Sequence, residues 1–246
     1  MIYSWHPWQR SHARTATYHW APGSRTDHVL ADGVRYQQSV RASLLAGTLT
    51  QDAPTVYEPG RAYHRDGAPV ADYDDLLVPE RAEYRIDHTV QRSTNALETS
   101  GSTVSTSWTF RSEAPAAGSA PGCAEVFPDA GACAVLPLIL TGYDVPLDHR
   151  NRAPAGRRFS FTVDTRRQPG HTGPPVSGTT VQVSYDSGST WSDAEKVTLR
   201  KDGSADVAVR HPEATATDGF VSLRVAAWDG AGNRTEQTVI RAYALT

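Results

Sequence analysis

The stretch Thr180-Val-Gln-Val-Ser-Tyr-Asp-Ser-Gly-Ser-Thr-Trp191 joins a strand pattern to a tight turn. Val181, Val183 and Tyr185 alternate with polar residues, which predicts a strand with one apolar face. Asp186-Ser-Gly188 then predicts a chain reversal, because an Asp carboxylate accepts hydrogen bonds from turn N–H groups and Gly adopts conformations that other residues resist. The pattern S-x-D-x-G-x-T-W, called the Asp-box hairpin, is matched by Ser184, Asp186, Gly188, Thr190 and Trp191.

The Asp-box pattern predicts local structure rather than chemistry. Its Asp and Gly hold the turn, and its Trp packs beneath the hairpin as an apolar support. The same hairpin occurs in many unrelated secreted β proteins, so it implies no catalysis by itself. We therefore assign the five matching residues a structural role.

Outward from this hairpin, residues 134–246 show a series of short β patterns. The candidate strands are 134–140, 157–164, 180–185, 195–200, 205–210, 219–228 and 234–243. Turn signals separate them, and Asp229-Gly-Ala-Gly-Asn233 predicts a hairpin connector. This number and spacing of strands is typical of an immunoglobulin-like or fibronectin type III-like sandwich. The Cys…Trp…Cys spacing of immunoglobulin domains is missing, so the likeness concerns architecture alone.

The N-terminal part of the chain also shows β patterns. Candidate strands cover 13–20, 33–40, 82–90 and 102–110, and turn signals fall at Ala21-Pro-Gly23, Glu58-Pro-Gly60 and Asp66-Gly67. Residues 113–133 are rich in Pro, Gly and Ala and have no periodicity, which is linker composition. We therefore predict an all-β fold with two antiparallel β-sandwich domains. The first, 1–112, is either complete or truncated at its start, and the second is 134–246.

Charge and hydropathy argue against two classes of partner. The formal net charge of -3 gives no electrostatic reason to bind nucleic acid or an anionic membrane surface. No apolar run approaches the ~18 residues that span a membrane. The first residues also lack the basic and apolar regions of an export signal.

Cys123 and Cys133 predict a disulfide that closes a short loop. Such a bond stabilises a protein by roughly 2–3 kcal/mol, because it constrains the unfolded chain. The alternative, a metal or redox site, requires closer spacing such as C-x-x-C, which is absent. A disulfide indicates an oxidising, extracellular setting, and without an export signal it indicates a piece of a longer secreted protein.

Calcium is the one metal that the sequence suggests. Asp229 with Asn233, or the cluster Asp72, Asp74 and Asp75, could supply oxygen ligands to this cation. The alternative for both places is a solvated acidic turn. No other cofactor is indicated.

Sugar binding through aromatic side chains is a further alternative. The chain has 6 Trp and 10 Tyr, which could stack on pyranose rings. Trp108, Trp191 and Trp228 lie in or beside candidate strands, so we expect all three in the core.

Three C-terminal stretches carry a family resemblance: Thr179–Trp191, Gly219–Asn233 and Glu236–Leu245. They resemble the end of large secreted bacterial subtilisin-like (S8 family) serine peptidases, which close with a similar strand written EQTxIRAY. A looser resemblance in order and spacing covers about residues 13–112. It is carried by Tyr57-Glu-Pro-Gly60, Tyr63-His-Arg-Asp-Gly67, Ala82-Glu-Tyr-Arg85 and Ser107-Trp-Thr-Phe-Arg-Ser112.

The resemblance implies an accessory role without catalysis. The family's Asp, His and Ser lie in D-[ST]-G, H-G-T-H and G-T-S-M-A motifs. We expect none of the three here, since His171-Thr-Gly173 and Ser177-Gly-Thr179 are fragments without the rest. We therefore expect no enzyme activity from this chain. The implied function is stability, substrate docking or surface attachment of a secreted peptidase. The implied partners are the peptidase catalytic domain, in cis or as a separate chain, and a polysaccharide or protein substrate. The alternative is a free-standing carbohydrate-binding module.

Overall fold

The computed structural model describes residues 60–71, 80–91, 103–113, 136–148, 150–167 and 171–246. These residues form strands joined by turns, with a short 3-10 helix at Ala214–Ala216 and no α-helix among them. The prediction of an all-β fold is confirmed. The strands are β1 (Gly60–Arg65), β2 (Ala68–Val70), β3 (Ala82–Gln91), β4 (Thr103–Ser112), β5 (Ile139–Asp144), β6 (Arg152–Ala153), β7 (Arg158–Arg167), β8 (Val176–Ser184), β9 (Ser192–Asp193), β10 (Lys196–Leu199), β11 (Ser204–Arg210), β12 (Phe220–Asp229) and β13 (Arg234–Leu245).

These strands pair into two antiparallel sheets. The large sheet has the order β2-β1-β3-β4-β13-β12-β8-β9, and the short β6 pairs in parallel with β13. The small sheet has the order β10-β11-β7-β5. Six of the strands predicted in the C-terminal part overlap β7, β8, β10, β11, β12 and β13.

A shared apolar core gives the two sheets a β-sandwich-like arrangement. Burial alternates along the strands because successive side chains point to opposite faces, as in the buried Phe159, Phe161 and Val163 of β7. Removal of these apolar faces from water is the main force that holds the sheets together. The core residues from both sheets include Tyr143, Phe159, Phe161, Val163, Val181, Val183, Val207, Val209, Val221, Leu223, Val225, Val239 and Tyr243.

A second apolar cluster covers the inner face of β3 and β4. Trp108 is 4% exposed, and its indole Nε1 donates a hydrogen bond to the Ile139 carbonyl at 3.0 Å. The rings of Tyr84 and Phe110 lie 5.5 Å apart in the same cluster. The strands predicted at 82–90 and 102–110 overlap β3 and β4, and the expectation of a buried Trp108 is confirmed.

The strand predicted at 134–140 is displaced along the chain, because β5 begins at Ile139. Pro137 has no N–H to donate to a strand ladder. Leu136 and Leu138 are buried against the inner face of β3 and β4 instead. Leu136 and Leu138 are thus buried beneath the sheet without belonging to one of its strands.

The large sheet runs without interruption from the N-terminal strands to the C-terminal ones. β4 and β13 form an antiparallel ladder that aligns Trp108 with Thr235 and Val104 with Val239. The strands on either side of residues 113–133 thus share hydrogen bonds, which the sequence did not predict. The division of the chain into two sandwich domains stays a prediction.

The β1–β2 hairpin turns at Asp66-Gly67, where a turn was predicted. Asp66 has φ 51° and Gly67 has φ 79°, the left-handed pair that a two-residue type I′ hairpin requires. The Asp66 carboxylate accepts a hydrogen bond from the Glu83 N–H at 2.9 Å, which ties the turn to β3. The strands that flank this turn were not predicted.

Several predictions fall outside the described residues. They are the strands at 13–20 and 33–40, the disulfide between Cys123 and Cys133, and the acidic cluster Asp72, Asp74 and Asp75.

Candidate functional site

The hairpin after β8 brings the predicted Asp-box residues together. The Ser184 hydroxyl donates to the Asp186 carboxylate at 2.7 Å and accepts from the Gly188 N–H at 2.8 Å. Ser187 has φ 55° and Gly188 has φ 91°, so two successive residues adopt the left-handed region that Gly favours. The turn is thus closed by its own side chains.

The Asp186 carboxylate holds the far side of the same hairpin. Its oxygens accept from the Thr190 hydroxyl at 2.6 Å and from the Thr190 N–H at 2.9 Å. These hydrogen bonds, first those from Thr190 and then the one from Ser184, lower the pKa of Asp186 to about 2. The carboxylate is therefore ionised across the physiological pH range.

The hairpin is packed against the outer face of the large sheet. A Cβ added to Gly188 would lie 2.8 Å from Cδ1 of Ile240 and 3.4 Å from Cζ2 of Trp191. The guanidinium of Arg224 lies 4.1 Å from the centroid of the Trp191 ring and covers it. Trp191 Nε1 also donates to the Gly188 carbonyl at 3.0 Å. These contacts indicate that Trp191 stabilises the hairpin.

Asp229 and Asn233, the predicted calcium ligands, close the turn between β12 and β13. Both are 4% exposed. One Asp229 oxygen accepts from the N–H groups of Ala231 at 2.9 Å and Asn233 at 3.0 Å, and the other accepts from the Asn233 side-chain amide at 2.8 Å. The Asn233 side-chain oxygen in turn accepts from the Arg111 N–H at 3.3 Å.

N–H donors therefore surround the Asp229 carboxylate. Calcium requires six to eight oxygen ligands, and hydrogen bonds to N–H groups occupy the lone pairs that a cation would use. Within the described part of the chain no three His, Cys, Asp or Glu side chains group to hold a metal ion. In this structure Asp229 and Asn233 stabilise the β12–β13 turn through their hydrogen bonds.

Trp228 lies on the outer face of the large sheet and is only partly buried, as Trp191 is. Its neighbours in sequence, Ala227 and Asp229, are buried. The expectation that Trp191 and Trp228 belong to the core is therefore wrong. Because side chains alternate along a strand, Trp228 shares its face with Arg224 and not with Val225.

The Trp228 ring lies directly over Gly178 of β8, the residue paired with it across the ladder. A Cβ added to Gly178 would overlap ring atom Cζ2 and would lie 2.7 Å from Nε1. The absence of a side chain at this position is what lets the ring rest on the sheet. The sequence did not predict this contact, because 49 residues lie between Gly178 and Trp228 and only the strand register brings the two together.

A buried polar cluster lies inside the sandwich, around His211. The imidazole is 1% exposed, with its Nδ1 3.1 Å from the Tyr185 hydroxyl and its Nε2 3.4 Å from the Tyr243 hydroxyl. Burial lowers the pKa of His211 to about 4 and raises the pKa of Tyr185 to about 12. The imidazole is therefore neutral at pH 7 and acts as part of the core.

Comparison with known proteins adds no relative to these observations. No protein-family model matches the chain, and no curated protein matches it. Among the described residues, no helix has the length and apolar character needed to cross a membrane.

Proposed function

We propose that the chain is a non-catalytic accessory region of a secreted subtilisin-like serine peptidase. It would contribute to stability, substrate docking or surface attachment through packing and binding. The observation that carries the proposal is where the resembling stretches lie in the fold. They form β8, β12 and β13 with their turns, and these three strands are hydrogen-bonded neighbours in the large sheet.

The polar residues within those stretches support the same role. Asp229 and Asn233 close one hairpin, and Asp186 closes another. Asp186-Ser-Gly188 does match the letters of the family's D-[ST]-G motif, so the expectation that none of the three motifs occurs is wrong for this one. The Asp186 carboxylate, however, accepts hydrogen bonds from Ser184 and Thr190, so the stretch serves the turn.

Two assays test this proposal. The purified chain is incubated with casein and with a chromogenic peptide, with and without phenylmethylsulfonyl fluoride, and no turnover is expected. Hydrolysis that the inhibitor abolishes would overturn the proposal.

The chain is then fused behind a subtilisin-like catalytic domain. We expect a longer half-life at elevated temperature or a lower KM for an insoluble protein substrate, with kcat on the chromogenic peptide unchanged. A fusion that changes neither quantity would argue against an accessory role.

A polysaccharide-binding module is a second candidate, favoured by the position of Trp228. A partly buried indole that rests on the outer face of a sheet can offer an apolar surface to a ligand. Retention of the purified chain on insoluble polysaccharide, reduced by soluble fragments of the same polymer, is the expected result.

A further inference from the structure

We propose that this chain forms an intramolecular ester cross-link between Thr106 on β4 and Gln237 on β13, with release of ammonia. The inference goes beyond the proposed function and does not depend on it. Two observations carry it: a row of buried polar side chains that brings the reacting groups into contact, and the position of that row in the ladder between β4 and β13.

The polar row crosses three neighbouring strands on the inner face of the large sheet. Strand register places His88 of β3 opposite Thr106 of β4, and Thr106 opposite Gln237 of β13. The three residues are 1%, 3% and 6% exposed. Side chains directly opposite each other on one face have Cβ atoms about 5 Å apart, so each of the three is within reach of the next. The adjacent row is apolar, with Val104 opposite Val239.

The side chains of Thr106 and Gln237 are already in contact. The Gln237 amide nitrogen donates a hydrogen bond to the Thr106 hydroxyl oxygen at 2.9 Å. Since the amide carbon is one bond, about 1.3 Å, from that nitrogen, the hydroxyl oxygen lies at most about 4.2 Å from the carbon. A small side-chain rotation brings the two atoms to the separation of about 3–3.5 Å from which a nucleophile attacks. A buried site also excludes the water that would hydrolyse the ester.

The Gln237 amide is poorly satisfied in this position. Its oxygen is buried and has no hydrogen-bond partner among the described residues. Leaving a buried amide oxygen without a donor destabilises the folded chain. Ester formation removes the amide nitrogen and its two N–H donors from the core, and an ester oxygen demands a hydrogen bond less than an amide oxygen does. The product therefore suits the apolar interior better than the unreacted pair.

His88 and Thr235 flank the reacting pair and supply the remaining chemistry. His88 can take the Thr106 hydroxyl proton as the oxygen attacks and can then deliver it to the leaving nitrogen. Thr235 is 0% exposed and lies on the same face of β13 as Gln237, two residues and thus about 7 Å along the strand. Its hydroxyl has no partner among the described residues, so it is available to donate to the amide oxygen as negative charge develops there.

The reaction balances without a co-reactant. The Thr106 oxygen bonds to the amide carbon of Gln237 and forms a tetrahedral intermediate. The carbon–nitrogen bond then breaks, and the nitrogen leaves as ammonia with its own two hydrogens and the proton from Thr106. Nothing is oxidised or reduced. The product is a side-chain ester, and the chain is lighter by one ammonia.

The cross-link would connect the two parts of the chain that the β4–β13 ladder joins by hydrogen bonds alone. It would close a long loop, from 106 to 237, and would constrain the unfolded chain as a disulfide does. The chain would then resist heat and denaturant without the need for an oxidising setting.

Intact mass spectrometry of the purified full chain under denaturing conditions tests the cross-link. We expect a mass below the sequence mass by one ammonia, and a tryptic digest in which the peptides that contain Thr106 and Gln237 are joined. The joined peptide matters, because ammonia lost from an Asn side chain would leave the two peptides separate.

Variants of similar shape test the assignment of the reacting groups. Thr106→Val and Gln237→Leu should each show the full sequence mass and no joined peptide. Thr109→Val, on the other face of β4, is the matched control and should cross-link as the parent chain does. His88→Gln should slow the loss of ammonia by about a hundredfold without changing the mass finally reached. Far-UV circular dichroism and Tm confirm the fold of each variant.

The outcomes are decisive for the parent chain alone. A folded parent chain that keeps the full sequence mass after prolonged incubation at neutral pH overturns the cross-link, and the contact between Thr106 and Gln237 is then only a hydrogen bond. A joined peptide that persists in Thr106→Val or Gln237→Leu overturns the assignment of the reacting groups. The accessory role is decided separately by its turnover and fusion assays.

Discussion

Acidification from pH 7 to pH 4.5 should destabilise this protein through one buried side chain, His211. Its imidazole lies between the rings of Phe159, Tyr185 and Tyr243, with the Phe159 centroid 5.2 Å away. The Tyr185 hydroxyl donates to the Arg210 carbonyl at 3.2 Å, so its oxygen accepts from Nδ1–H of His211. Nε2 is then left to accept from the Tyr243 hydroxyl. The neutral imidazole can form both hydrogen bonds, as a donor to Tyr185 and an acceptor from Tyr243. Protonation would place a positive charge in the core.

The magnitude follows from the difference between folded and unfolded pKa values. Burial lowers the pKa of His211 from 6.5 to about 4 in the folded state. Between these values the unfolded chain binds a proton that the folded chain excludes, so the free energy of unfolding falls as the pH falls. At 1.36 kcal/mol per pKa unit, the loss between pH 7 and pH 4.5 is about 2 kcal/mol. The stability is fully present above pH 6.5, and the loss is complete below about pH 4.

Urea unfolding at pH 7, 6, 5 and 4.5 measures this loss in the parent chain and in His211→Gln. The Gln side chain keeps a hydrogen-bonding amide but does not titrate. We expect the parent chain to lose about 2 kcal/mol more than the variant over this range. Carboxylates that titrate in the same range contribute equally to both proteins and cancel. An equal pH dependence of both proteins, or an NMR titration of His211 with a midpoint near 6.5, would refute the reasoning.

Three further changes are expected to alter stability. Asp229→Ala should lower the free energy of unfolding by about 2–4 kcal/mol, because it leaves the part-buried N–H of Ala231 and the buried N–H of Asn233 without an acceptor. Urea denaturation measures this loss, and addition of EDTA to the parent chain should leave Tm unchanged. Trp108→Phe should lower the free energy of unfolding by about 1–3 kcal/mol, since the Ile139 carbonyl loses its donor and the smaller ring leaves a gap in the cluster. A loss below about 0.5 kcal/mol would show that neither the hydrogen bond nor the packing of this ring contributes to stability. Asp186→Ala should lower Tm and make the hairpin easier to cleave, because it removes the hydrogen bonds from Ser184 and Thr190. Limited proteolysis between 184 and 191 measures the cleavage, and Asp193→Ala is the surface control.

The sequence predicted local features well wherever the signal was local. The strand predicted at 102–110 overlaps β4, whose alternating burial places Trp108 on a buried face as expected. The turn chemistry of Asp66-Gly67 matched a type I′ hairpin because both residues tolerate positive φ. Where an apolar run shows no alternation, as in the strand predicted at 134–140, the strand position was wrong: β5 begins at Ile139, and Leu136 and Leu138 before it are buried outside any strand.

Features that depend on which strands lie side by side escaped prediction. Trp228 was expected in the core because it lies in the candidate strand 219–228. Only the pairing with Gly178 explains why this ring lies on the outer face. His211 gave no signal either, since its neighbours Tyr185 and Tyr243 come from distant positions in the chain.

By itself, then, the sequence determined the all-β class, most of the C-terminal strands and the hairpin at Asp186. These features follow from interactions within a few residues, namely the two-residue period of a half-buried strand and the backbone preferences of Asp and Gly. Only the tertiary structure decided that β4 joins β13, that the Trp228 ring rests on Gly178 and that His211 is enclosed by tyrosines. These features depend on strand order, which is set by how the whole chain buries its apolar surface and not by any single segment.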